Sequence, residues 1–133
     1  MCSGGMVSSG FDALGNMANA VQVDAESKGN AKTVRSVARA QAERTKAQGR
    51  KNASSARAAA AENGLDVDVG SAALIQDEHI SDATYNASIT VQDANHNAQN
   101  IRRAGKMQRN NYGMKAASGL IDMGAQAVSG GWK

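Results

Sequence analysis

The stretch NGLDVDVGSAAL, residues 63–74, decides how the rest of the chain is read. From Leu65 to Val69 it alternates apolar and acidic residues as a strand would, yet Gly64 and Gly70 bracket it and no second strand-like run exists to pair with it. Asn63 and Gly64 suit a helix C-terminus, where glycine supplies the left-handed residue, and Gly70 followed by Ser71 as N-cap suits the start of another helix. The stretch is therefore read as a hinge carried by Gly64, Gly70 and Ser71. It leaves 63 residues on each side (1–63 and 71–133), so an antiparallel hairpin brings the two chain ends together.

Composition supports helices of an unusual kind. The 133 residues include 26 Ala but only 19 of Val, Ile, Leu and Phe together, and no Pro. Between Val37 and Leu65 there is no Val, Ile, Leu, Met or aromatic residue, so this half cannot build a globular core and must pack closely against something. Alanine costs least in a helix, and proline-free runs of Ala, Gln, Arg and Lys favour long helices over disorder. The fold class expected is all-α: an elongated hairpin of two long Ala-rich helices, with flexible Gly-rich ends, ordered by oligomerisation. The boundaries read from the sequence are a head at 1–16, a basic helix at 17–62, the hinge at 63–70, a polar helix at 71–112 and a Gly/Ala/Met-rich tail at 113–133.

In the first helix one face runs through Ala31, Val34, Ala38, Ala42, Gly49, Ala53, Ala56 and Ala60, close to the helical period. A stripe of methyl groups and one glycine lets a neighbouring helix come near and replaces hydrophobic area with dispersion contacts. In the second helix Ala87, Val91, Ala94, Ala98 and Ile101 continue a mostly small seam whose steps approach a heptad.

Charge is segregated along the chain. Lys28, Lys32, Arg35, Arg39, Lys46, Arg50 and Arg57 form a basic stripe immediately beside the alanine face. Residues 62–93 hold seven acids and no Lys or Arg, and the block from Arg102 to Lys115 turns basic again. A hairpin sets residue i opposite about 134 − i, which places Asp77, Glu78, Asp82 and Asp93 opposite residues 41–57. Acid then meets base and specifies orientation. An unbent rod paired with a second copy satisfies the same charges. The stripe has three readings: a solvated face, non-specific contact with the phosphate backbone of DNA, or pairing with acids of another copy.

Candidates for chemistry are few. His79 and His96 lie near carboxylates, but their spacing matches no zinc signature, and a solvated helix face is the reading for both. No nucleophile, base and orienting group assemble in the sequence, so neither catalysis nor a cofactor or metal is expected. The single Cys2 excludes an internal disulfide, and MCSGGMVSSG lacks the basic and apolar regions of a secretory signal. The glycine-rich ends carry the candidate membrane contacts Phe11, Leu14, Leu120, Ile121 and Trp132; small residues among apolar ones suit close packing in lipid, and Trp suits an interface.

The run AENGLDVDVGSAAL, the polar Asn- and Ala-rich helix after it, and RRAGKMQRNNYGMKAASGLIDMGAQAVSGGW together resemble the small internal virion (core or DNA-ejection) proteins of short-tailed bacteriophages. The MC start is similar too, and the resemblance covers roughly residues 57–132. It implies a multimeric protein carried inside the capsid near the portal, in contact with other virion proteins of the portal or tail. Such a protein is released into the host envelope, where it contributes to a conduit for the genome. This chain is shorter than many relatives, which bears against a pore formed by itself. The two other readings are a structural adaptor that stays in the particle and a basic DNA-condensing protein.

Overall fold

The computed structural model describes residues 4–130. Two helices, α1 (Gly4–Glu62) and α2 (Ser71–Gly130), pack against each other as a hairpin. Both extend into the segments read as head and tail: α1 begins at Gly4, not residue 17, and α2 runs on past residue 112 to Gly130. Glycine's propensity cost there is met by tertiary contact. Gly10 approaches the Met123 sulfur, with 3.7 Å left for an added Cβ, and Gly119 lies as near the Ser9 carbonyl.

The hinge closes α1 as a left-handed glycine stop. Gly64 has φ 70°, the Leu65 amide donates to the Ala60 carbonyl and the Gly64 amide to the Ala61 carbonyl, the paired bonds of a Schellman motif. At the other end Gly70, with φ 71°, accepts from the Leu74 amide, so Gly70 takes the cap position expected of Ser71, and Ser71 is the first helical residue. Side chains hold the loop to both helices. Asp68 pairs with Arg57 on α1 at 2.9 Å, and the Gln76 amide of α2 donates to the Val67 and Ala72 carbonyls. The Arg57–Asp68 pair is exposed and contributes at most about 1 kcal/mol. The glycine matters more: Gly64→Ala has free space around its Cβ and forces alanine into the left-handed region. We expect it to lower stability in denaturant unfolding by about 1–2 kcal/mol.

The helices contribute to two compact units. The first comprises Met1–Ala31 with Gln99–Lys133, the second Lys32–Ala98. In each, an α1 segment lies antiparallel to an α2 segment along a seam of small residues. Every buried residue among those described is Ala, Gly or Ser. In the second unit the buried set is Ala38, Ala42, Gly49 and Ala53 with Ala72, Ala87 and Ala98; in the first it is Ala13, Ala20, Ser27 and Ala31 with Gly105 and Ala116.

The beat of this seam is eleven residues, not seven. Ala31, Ala42 and Ala53 repeat at that interval on α1, and so do Ala83, Ala94, Gly105 and Ala116 on α2. Eleven residues in three turns, about 3.67 per turn, lie nearer to the helix's own 3.6 than the 3.5 of a heptad, so the small face persists with little distortion. The eleven-residue beat also puts His79 and Thr90 on the α2 face, both half-buried, beside the half-buried Val91 and in place of the exposed Ile80.

Glycine sets the closest approaches. A Cβ on Gly49 would overlap the Ala83 methyl and stand 3.0 Å from the His79 carbonyl oxygen; a Cβ on Gly105 would overlap the Ser27 side chain. Gly49 against Ala83 and Gly105 against Ser27 each set residue i opposite 132 − i, two residues from the expected register.

Candidate interaction surfaces

In the first unit the close approach at Gly105 assembles a polar cluster. With no Cβ in the way, α2 comes near enough for Arg102, one turn earlier, to reach Asp24 at 3.3 Å and the Ser27 hydroxyl at 3.0 Å. Ser27 in turn donates to the Asp24 carbonyl, so its buried hydroxyl is satisfied. Lys28 closes on the other Asp24 oxygen at 2.7 Å, and Arg109 stands 4.0 Å away. Asp24, whose side chain is 16% exposed, thus faces three cations.

The hydrogen bond from Lys28 holds the Asp24 carboxyl below its usual value of 3.8, helped by the charge of Arg102 and opposed by partial burial. A carboxyl depressed in the folded state adds stability that is fully present above the unfolded value and is lost as pH falls through the folded one. The first unit should therefore loosen on acidification below pH 3.8, and Asp24→Asn should flatten that limb of a circular-dichroism acid titration.

Beside this cluster lies an apolar groove of about 740 Å³, lined by Met17, Ala20, Val21, Gly113, Met114, Ala116, Ala117 and Leu120, with Arg109 and Asn110 at its edge. The large apolar side chains stand outside the seam: Phe11 is 70% exposed, Val21 72%, Met114 70% and Ile121 71%. Of the candidate membrane contacts, Phe11, Leu14, Leu120 and Ile121 are all exposed, and Trp132 lies outside the described residues. Reading the sequence by its glycine-rich ends left Met17, Val21 and Met114 out of the candidate set. Their signal is position, since Met17 and Val21 each follow a seam residue (Asn16, Ala20), as the basic stripe does farther along α1.

In the second unit charge occupies the flanks of the seam. Arg35, Arg39 and Arg50 each follow a seam residue of α1, whereas Glu78, Asp82 and Asp93 each precede one of α2. The expected pairing of Asp77, Glu78, Asp82 and Asp93 with residues 41–57 does not form: among the described residues no ion pair joins them. In an antiparallel pair, residues that follow the seam on both helices share one side and residues that precede it share the other. The stripe and most of these acids therefore face away from each other. A groove lined by Arg39, Lys46, Thr84, Ser88 and Val91 marks the first side; grooves lined by Asn52, Asp82 and Asn86, and by Val37, Asp93 and Asn97, mark the second.

Within the stripe Lys28 pairs with Asp24, Lys46 with Glu43 and Arg57 with Asp68, while Lys32, Arg35, Arg39 and Arg50 have no ion-pair partner among the described residues. His96 is exposed, and among the described residues no three His, Cys, Asp or Glu side chains converge to hold a metal. No helix over these residues is long and apolar enough to cross a membrane. No protein-family model, curated protein or solved structure matches the chain.

Proposed function

We propose that the chain is a non-enzymatic internal virion protein of a bacteriophage. Its hairpins associate in the particle as a ring or sheath near the portal, and their apolar outer surface engages the host envelope during genome delivery. The observation that carries this reading is the inversion of size across the seam: Ala, Gly and Ser inside, with Phe11, Leu14, Met17, Val21, Met114, Leu120 and Ile121 exposed. Burying such side chains contributes about 1.5–3 kcal/mol each, a driving force the isolated hairpin leaves unused and an assembly or a lipid surface recovers. A groove flanked by Arg109 suits the second, because apolar insertion and attraction to anionic headgroups act together.

Purified protein mixed with vesicles of anionic phospholipid tests the envelope role. Binding and dye release are expected, together with loss of the protein from particles that have discharged their genome. Protein that neither binds nor permeabilises vesicles and remains in emptied particles would instead be a structural adaptor.

A further inference from the structure

We propose that the second unit carries both halves of a contact between copies: the basic flank of α1 in one chain docks on the acidic flank of α2 in the next. The two flanks lie on opposite sides of the same helix pair, and Arg35, Arg50, Glu78 and Asp93 have no ion-pair partner among the described residues. Their spacings match. Ascending α1, the steps from Arg35 to Lys46 to Arg50 are eleven and four; descending α2, so are those from Asp93 to Asp82 to Glu78. Laying α1 of one copy antiparallel to α2 of its neighbour therefore brings three opposite-charge pairs into register at once. Lys46 exchanges its exposed Glu43 partner to join them. Val37 and Ile89, both exposed, precede seam positions on the acidic side and add apolar area within the contact.

A nucleic-acid backbone would use the cations alone. It gives no role to three unpaired carboxylates repeating the same spacing on the other side, and this selects a second copy as the occupant. Because each copy presents one flank to each neighbour, the contact is head-to-tail and propagates as a ring or an open series. The proposal rests on reading the chain as an assembly component, but it is tested in buffer without lipid, so its failure and that of the envelope role are told apart.

Sedimentation equilibrium at low salt would compare the wild-type chain with R35E/R50E and with E78R/D93R. Neither pair of changes breaks an ion pair among the described residues, so circular dichroism should stay at the wild-type level. Wild type should self-associate, and each variant alone should associate roughly tenfold more weakly or worse, since like charges then face each other. An equal mixture of the two should recover association to within about twofold of wild type, because in strict alternation every contact is again between opposite charges. A monomeric wild type, variants that associate as wild type does, or a mixture that stays apart would each overturn the proposal. So would R35E/R50E that loses salt-dependent DNA binding while self-associating normally, which would assign the basic flank to phosphate.

Discussion

Gly105→Leu parts the helix pair of the first unit and Gly49→Leu that of the second, each at a cost of about 3 kcal/mol. At both positions even a Cβ lands on the facing side chain, Ser27 or Ala83, so a leucine has no rotamer that leaves the helices at their present separation. Gly105→Leu should also break the reach of Arg102 to Asp24 and Ser27, which depends on that separation. Alanine at the same sites sets two effects against each other. It gains about 1 kcal/mol of helix propensity and meets an overpacking cost of about 1–3 kcal/mol, so the net is destabilising. Gly15 and Gly113 show the propensity alone: nothing stands within 4 Å of an added Cβ, and Gly→Ala there should stabilise by about 1 kcal/mol. Denaturant unfolding measures the six changes, and amide exchange locates each within its own unit. Leucine variants that unfold like the wild type would mean that the seam is not closed at these glycines.

The triple substitution Val21→Ser, Met114→Ser and Leu120→Ser should abolish vesicle binding while leaving the fold intact. None of the three is buried and none forms the seam, so their loss leaves the packing of α1 on α2 unchanged. In lipid each contributes on the order of 1 kcal/mol, a fraction of the ~1.5–3 available on full burial. Together that is about 3 kcal/mol, or roughly a hundredfold in affinity. Vesicle co-sedimentation at fixed protein concentration checks this, with circular dichroism as the control on folding. Binding that persists at the wild-type level would move lipid contact away from the groove.

How much of this was legible in the sequence differs from feature to feature, for physical reasons. The reversal of the chain could be read because Asn63, Gly64 and Gly70 have strong local preferences, and the left-handed φ of both glycines follows from chemistry that few other residues share. The small face of α1 could be read because alanine at helical spacing is itself a pattern. Its eleven-residue beat was harder to see, since steps of three and four fit seven or eleven equally well over a few turns. Register was displaced by two residues because symmetry about the hinge sets only chain length, whereas Gly49 against Ala83 and Gly105 against Ser27 fix the actual alignment. Charge misled: opposite blocks facing each other in register can still point to opposite sides of a helix pair, as Arg35 and Asp93 do. Asp24 was missed because its partners Arg102 and Arg109 come from the far end of the sequence, and only the packed hairpin gathers them.

A seam built of methyl groups has a thermal consequence. Parting it exposes little apolar surface, and the backbone hydrogen bonds lie within each helix, so the heat capacity should change little when the two arms separate. With a small heat-capacity change the free energy of closure runs nearly straight with temperature, without the curvature that weakens a folded state on cooling. The hairpin should therefore stay closed in the cold and open only on warming.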